Sequence, residues 1–220
     1  MKHPIALLSA IGSLFIASCL TQLLNAAPLV AFDSFNTGNT FNTSGGWGIA
    51  GASTSAGYRG QAQSFVPVFS GNLATIDLAI GRNSGSGRNN FGIAQDSGGI
   101  PGVLLESFQN VASPGNFGSA YPPVTLTSTL RPSLQIGQTY WIIAEPADAT
   151  TFSAWNYNTK GFTGHTALER TPSDWQAFTG SADGVFRVSV TPVPEPSTLG
   201  LLLIGFFAAT TVACRNRQRS

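Results

Sequence analysis

Apolar and polar residues alternate along most of the chain between residues 28 and 192. Ile76, Leu78 and Ile80 fall on one face of a predicted strand, with polar or small residues between them, and the run 184–190 repeats the pattern. A period of two residues is typical of a strand that buries one face. We therefore expect this region to consist of several short β-strands.

Three runs predict where individual strands lie. Residues 64–69 form a strand that Pro67 should place at a sheet edge or at a strand start, because proline has no N–H to donate. Residues 137–145 are apolar on both faces, which predicts a central strand. Residues 152–157, with the sequence FSAWNY, are predicted to pair with that central strand.

Polar and glycine-rich segments predict the connections. Residues 82–90 read RNSGSGRNN and predict a hairpin loop, whereas residues 96–102 read DSGGIPG and predict a tight turn. Residues 160–170 predict a polar loop, which is followed by Trp175. The interval 28–62 is interrupted by glycine and turn-forming residues too often for a helix.

Short strands separated by turn signals, with no credible helix between residues 28 and 192, indicate an all-β fold. We predict a two-sheet antiparallel β-sandwich of the jelly-roll type. The segment is long enough to bury one hydrophobic core. It forms the second of three predicted regions, which span residues 1–27, 28–192 and 193–220.

The first 27 residues have the features of a secretory signal peptide. Lys2 supplies a positive charge, an apolar run follows over residues 5–20, and cleavage is expected after Ala26 or Ala27. The sequence Ile-Ala-Ser-Cys at residues 16–19 is an alternative processing site, of the kind that leads to lipidation of a cysteine. The apolar character continues beyond Cys19, which favours the later cleavage.

The C-terminal 28 residues have three parts in a fixed order. Pro194, Glu195 and Pro196 form a turn-prone motif, and an uncharged stretch of 19 residues then separates Glu195 from a basic cluster, formed by Arg215, Arg217 and Arg219. As a helix, that stretch would extend about 28 Å, close to the thickness of a bilayer core. We predict a transmembrane helix over 198–214 whose arginines stay in the cytoplasm.

This tripartite segment resembles the PEP-CTERM sorting signal of exopolysaccharide-producing Gram-negative bacteria. The resemblance rests on residues 193–198, on the apolar helix and on the terminal arginines. It implies that an exosortase, a membrane-embedded cysteine protease-like enzyme, recognises the segment and cuts near the Pro-Glu-Pro motif. The simpler alternative is an ordinary C-terminal membrane anchor.

Composition narrows the function of the middle region. Only 10% of the chain is charged, and residues 28–192 carry seven basic and nine acidic side chains. This balance gives no basic surface for a nucleic acid. Both cysteines, Cys19 and Cys214, lie outside the middle region, which therefore has neither an internal disulfide nor a cysteine-ligated metal.

The middle region also resembles the choice-of-anchor domains, which are exported bacterial β-domains that carry one of several C-terminal anchors. The residues that carry the resemblance are 62–65, 96–102, 137–141 and 186–188. The resemblance implies a surface or matrix domain and transfers no catalytic residue.

Candidate catalytic residues are few. His165 is the single histidine of the middle region and would need Asp174 or Glu169 to orient it in a nucleophilic triad. Glu106 and Glu145 are candidates for paired carboxylates because both lie on predicted strands. No recognisable catalytic motif accompanies any of these residues, so we predict that the protein is not an enzyme.

Two kinds of ligand remain as alternatives. Asp96, in its glycine-rich turn, and Asp183 are candidate calcium ligands, although no known calcium-loop spacing is present and no cofactor is expected. Trp155, Tyr157 and Trp175 are candidates for stacking on sugar rings, since amide side chains lie near them in sequence. Packing in the core is the competing interpretation of these aromatic residues.

The sequence thus predicts an exported, non-enzymatic protein of the cell surface or of a biofilm's exopolysaccharide matrix. Its expected partners are the Sec translocon, an exosortase-type enzyme and exopolysaccharide. A carbohydrate-binding module is the first alternative, and an enzyme acting on matrix polysaccharide is the second. We expect anchoring in the inner membrane before processing and a surface or extracellular location afterwards.

Overall fold

The alternating pattern produces strands from one end of the middle region to the other. The computed structural model describes residues 27–193, in which Pro28–Thr191 forms one compact unit. Within the described residues there is no α-helix, and the helical content is one 3-10 turn at Thr37–Asn39. The predicted signal peptide up to Ala26, Cys19, and the sorting segment from Pro194 onwards lie outside the described residues.

The fold contains fifteen described strands. In chain order they are β1 (Leu29–Asp33), β2 (Gly46–Ala50), β3 (Gly60–Phe65), β4 (Gly71–Leu78), β5 (Ile80–Ser84), β6 (Arg88–Asp96), β7 (Pro101–Ala112), β8 (Gly115–Asn116), β9 (Val124–Thr127), β10 (Ser133–Leu134), β11 (Tyr140–Pro146), β12 (Phe152–Asn156), β13 (Thr163–Glu169), β14 (Trp175–Ala182) and β15 (Phe186–Thr191).

These strands form three sheets that are antiparallel apart from the short β5–β8 pair. The largest sheet has the order β14-β13-β3-β11-β6-β7. A second has the order β1-β15-β4-β10, with β9 also on β4, and the third has the order β2-β12-β5-β8. The architecture confirms the predicted all-β sandwich.

The main core lies between the six-stranded sheet and the other two. Its largest fully buried side chains come from both layers, and they are Trp155, Phe186, Ile49, Leu73, Ile76, Leu78, Ile80, Ile93, Leu134 and Ile142. The alternation at Ile76 and Leu78 and at Phe186, Val188 and Val190 is confirmed, since all five residues are buried. Burial of such side chains stabilises the fold by about 25 cal/mol per Å² of apolar surface.

The opposite face of the six-stranded sheet carries a second apolar cluster. Trp141 and Ile143 on β11 pack there with Ala62, Ala94 and Ala167 from the neighbouring strands. A strand that is apolar on both faces suits this arrangement. The prediction of a central strand over 137–145 is confirmed by β11, which pairs with β3 on one side and β6 on the other.

The prediction that residues 64–69 form an edge strand is wrong. The strand there, β3, ends at Phe65, before Pro67, and lies in the middle of the six-stranded sheet between β13 and β11. Proline ends the strand instead of marking a sheet edge, because a central strand needs every N–H for its ladder.

The predicted hairpin loop at residues 82–90 is also wrong. β5 and β6 flank a short turn at residues 85–87 but belong to different sheets. Gly85 and Gly87 both have positive φ, at 68° and 63°, which lets the chain cross from one layer to the other. By contrast, the turn predicted at 96–102 is confirmed, since it joins β6 and β7 as a true hairpin.

Two further assignments need correction. Residues 152–157 do not pair with β11, because their strand, β12, lies between β2 and β5 in another sheet. The predicted polar loop at 160–170 contains strand β13, which pairs with both β14 and β3. Two of its polar residues, Thr166 and Glu169, are buried, and hydrogen bonds from Tyr58 and Ser173 compensate the Glu169 carboxylate for the water it has lost.

A carboxylate pair and a C-terminal sorting segment

Two carboxylates meet on the outer face of the six-stranded sheet. Glu145 lies near the end of β11 and Glu169 ends β13, with strand β3 between them. The residue of β3 at this level is Gly60, which lies opposite Glu169 in register. Because glycine has no side chain, the two carboxyl groups meet across the intervening strand.

The side chains of Glu145 and Glu169 fill the space above Gly60. A Cβ atom at Gly60 would lie 2.6 Å from Glu169 Oε2 and 3.4 Å from Glu145 Cγ. Any larger residue would therefore displace Glu169. The glycine is required by this close approach and not by its backbone angles.

Further donors hold Glu169 in place. The Tyr58 hydroxyl donates to Glu169 Oε2 over 2.9 Å, and the Ser173 N–H donates to Oε1. Glu169 is 1% exposed, so these bonds replace water that it has lost. The Glu145 carboxyl also hydrogen-bonds Glu169, which requires a shared proton between the two groups.

Burial and the negative charge of Glu169 both favour the protonated form of Glu145. Burial, then the charge of Glu169 and the hydrogen bond to it, raise the pKa of Glu145 to about 7. The pKa of Tyr58 is raised far above its ordinary range, first by burial and then by the charges of Glu145 and Glu169. The cluster therefore holds a proton near neutral pH.

A small cavity adjoins Glu145. It has a volume of about 180 Å³ and is lined by Asn90, Gly92, Leu104, Ser107 and other residues of β6, β7 and β11. Of the two carboxylates, Glu145 lines this cavity and Glu169 does not.

The geometry of the pair differs from that of a glycosidase. Glycosidases hold their two carboxyl groups about 5 Å apart, or further, so that a sugar bond fits between them. Glu169 is 1% exposed and its oxygens accept from the Tyr58 hydroxyl and the Ser173 N–H, so a sugar bond cannot enter between it and Glu145. The predicted pairing of Glu106 with Glu145 is wrong, because Glu106 faces the interior, opposite Ile93, and Glu145 faces outward.

The Glu106 carboxylate is held by hydrogen bonds from a neighbouring loop. Its carboxylate accepts hydrogen bonds from the Ser128 hydroxyl, from the Thr129 N–H and hydroxyl, and from the Leu130 N–H. Burial acts to raise the pKa of Glu106, but these hydrogen bonds outweigh it and the pKa is lowered. The side chain anchors the loop that follows β9.

Replacing Glu106 by alanine is expected to lower the free energy of unfolding by about 2 kcal/mol, because the N–H groups of Thr129 and Leu130 lose their acceptor. The measurement is urea denaturation of the processed protein at neutral pH. Gln109→Ala, an exposed position on the same strand, is the matched control. Equal stability of the two variants would contradict the anchoring role.

The structure separates the three aromatic residues predicted to stack on sugars. Trp155 is 0% exposed, and its Nε1 donates to the Val185 carbonyl over 2.9 Å. Tyr157 packs against Trp47, while Trp175 packs on the outer cluster around Trp141. The assignment of Trp155 to a stacking surface is wrong, since a sugar cannot reach a fully buried indole.

The remaining predicted residues are dispersed. Asp96 accepts from Trp141 Nε1 over 2.7 Å and from the Gly99 N–H, and Asp183 accepts from the Gly164 N–H over 2.8 Å. His165 lies on strand β13 instead of in a loop. Among residues 27–193, no group of three or more His, Cys, Asp or Glu side chains is placed to hold a metal ion.

The sequence predicted separate roles for Glu145 and Glu169, and their contact was not predicted. Glu145 follows the apolar run of β11, whereas Glu169 follows a polar segment, so the two share no local signal. Their meeting depends on the strand order β13-β3-β11 and on Gly60 between them, and neither follows from local sequence.

Comparison with protein families assigns the C-terminal segment. Residues 192–218 match the PEP-CTERM protein-sorting motif. The chain is therefore an exported protein with an exosortase sorting signal, which implies membrane anchoring before that membrane enzyme processes it. The match covers the sorting segment alone, so the resemblance of residues 61–190 to choice-of-anchor domains stays a prediction.

A comparison with curated proteins found no match. Within residues 27–193, no helix combines the length and apolar character that crossing a bilayer requires. The predicted helix over 198–214, the motif at Pro194–Pro196 and the arginines at 215, 217 and 219 lie outside the described residues.

Proposed function

We propose that the β-sandwich is a non-catalytic cargo domain, which processing at the sorting segment delivers to the cell surface or the exopolysaccharide matrix. The observation that carries this proposal is the sorting motif at residues 192–218, which begins directly after strand β15 ends at Thr191. In this proposal the chain is a substrate, and the catalytic residues are those of the enzyme that processes it.

The polar contacts of the described residues support a structural role. Arg187 bridges Asp33 and Asp77 at 3.1 and 3.4 Å and so ties three strands of one sheet together. Asp148 accepts bonds from Ser86 and Thr150 in the turn after β11, and its pKa is lowered mainly by these bonds. The charged side chains with these contacts stabilise loops and sheet edges.

The carboxylate pair supports the same conclusion. Glu169 is fully buried behind its own hydrogen bonds while Glu145 is half-buried, which does not fit two carboxyl groups placed on either side of a scissile bond. The glycan-binding alternative depended partly on Trp155, which is fully buried. No other observation on the described residues favours glycan binding. We therefore propose one function.

Incubating the processed protein with exopolysaccharide from the producing cells tests the absence of catalysis. We expect no release of reducing ends, with the wild-type protein and Glu145→Gln giving the same result. Release of reducing ends by the wild type, abolished by Glu145→Gln in a protein that still folds, would overturn the proposal. Thr150→Ala, at an exposed turn position, controls for nonspecific effects of substitution.

A further inference from the structure

Exposed apolar side chains concentrate at one end of the sandwich. At this end β1 begins, β3 ends, β4 begins and β15 ends, since Leu29 pairs with Val190 and Gly71 lies against Thr191. We call it the base. Its exposed apolar residues include Leu29, Val30, Val66, Val68, Phe69 and Ile136, which are between 40% and 61% exposed.

These residues form a continuous surface. The Val68 N–H donates to the Ala31 carbonyl over 2.9 Å, which fixes the segment after β3 against the edge strand β1. The Ile136 N–H donates to Ser70 Oγ over 2.9 Å and brings the loop before β11 alongside. An open groove of about 420 Å³, lined by Val30, Val66, Val68 and Phe162 among others, crosses this surface.

The loops at the opposite end are different. They comprise residues 51–59, 85–87, 147–151 and 170–174, and their exposed residues are small, polar or proline. Scattered exposed apolar residues are normal on a protein surface, but a clustered patch marks an interaction site. The asymmetry therefore assigns an interaction to the base.

The position of the chain ends indicates the partner. Thr191 ends the last strand at the base, and only residues 192–198 separate it from the apolar run that begins at Leu199. Seven residues span at most about 25 Å when fully extended. While the chain is anchored in the membrane, the end of the domain that carries the apolar patch is held within this distance of the lipid surface.

We propose that the base binds the lipid surface of the bilayer in which the unprocessed protein is anchored. Val66, Val68 and Phe69 would enter the interface between headgroups and acyl chains, as the apolar faces of other peripheral proteins do. A short tether gives an effective concentration on the order of millimolar, so a weak patch is sufficient. Removal of the tail abolishes the high effective concentration, and the processed domain then leaves the membrane.

The charges at the base fit an apolar contact better than an electrostatic one. Asp96, at the end of β6, and Arg131, two residues before Ser133, which pairs with Asn72, are exposed at this end and have opposite signs. The contact should therefore depend little on salt, because screening acts on charged groups and not on apolar burial.

Fluorescence quenching in proteoliposomes tests the proposal. The full chain, with Cys19→Ser and Cys214→Ser, is reconstituted in mixed phosphatidylethanolamine and phosphatidylglycerol, and an environment-sensitive fluorophore is attached at Val68→Cys. The matched control is Thr150→Cys, an exposed site at the opposite end. We expect severalfold stronger quenching by shallow spin-labelled lipids at position 68 than at position 150, both in low and in high salt.

Adding Val66→Asp and Phe69→Asp to the labelled chain should reduce quenching at position 68 to the level at position 150, while Ser119→Asp should leave it unchanged. Equal quenching at positions 68 and 150 in the otherwise unaltered base would overturn the proposal. So would disulfide cross-linking between unlabelled Val68→Cys chains without quenching, since it would show that a second copy covers the base.

Discussion

Replacing Trp155 by alanine is expected to lower the free energy of unfolding of the β-sandwich by about 3–5 kcal/mol, which is the usual cost of removing a large buried aromatic side chain. The indole is fully buried and packs against Phe186 with ring centroids 5.8 Å apart. Gly184 lies directly against it, since a Cβ there would be 2.7 Å from the ring. The mutation therefore leaves a cavity and removes the shorter of the two hydrogen bonds that the Val185 carbonyl accepts, the other coming from the Ala79 N–H.

Urea denaturation of the processed protein measures this effect. Trp175→Ala is the matched control, because Trp175 is only partly buried and makes contact with the outer cluster instead of the main core. We expect the control to lose less than half as much stability. A Trp155→Ala protein with an unchanged denaturation midpoint would contradict the placement of this residue in the core.

Stability should fall as the pH rises through neutrality, because the folded protein holds a proton on Glu145. The pKa of Glu145 is about 7 in the folded state and lies near 4.5 when the chain is unfolded. A raised pKa in an acid gives a stabilising contribution that is complete below about pH 4.5 and is lost as the pH passes about 7. Linkage sets the loss at no more than about 3 kcal/mol.

Glu145→Gln should remove this pH dependence. The amide keeps a donor for Glu169 and never acquires a charge, so the variant should be more stable than the wild type at pH 8 and similar to it at pH 5. Thermal or urea unfolding between pH 4.5 and 8.5 gives the comparison, with the exposed Asp174→Asn as the control. An unchanged slope in Glu145→Gln would show that Glu145 and Glu169 do not share a proton.

Local patterns predicted strands better than they predicted strand partners. The alternation at Ile76 and Leu78 and the doubly apolar run of β11 identified real strands, because each depends on which face is buried. The partner of β12 was predicted wrongly, since pairing between sheets depends on long-range contacts that a period of two residues does not encode.

The polar residues of β3 and β13 show a second limit. Gln61, Gln63 and Thr166 are buried on the core side of the six-stranded sheet, where alternation alone predicts apolar side chains. A segment rich in such residues is interpreted as a loop, which is why β13 was missed. Its neighbours in the sheet, and not its own sequence, determine its structure.

The carboxylate pair could not be predicted for the same reason. Glu145 and Glu169 are 24 positions apart in the chain and meet only because β3 separates their strands and presents Gly60 between them. The sorting segment was predictable because its signal is local. Its motif, apolar run and basic cluster follow one another in order, and the match at residues 192–218 confirms it.

The central claim is that exosortase processes this protein as cargo. Intact-mass measurement of the exported protein, recovered from cells with and without exosortase, tests it most directly. We expect a mass that corresponds to cleavage near Pro194–Pro196 when the enzyme is present, and a larger mass that retains residues up to 220 when it is absent. The same full-length mass from both kinds of cell would contradict the claim.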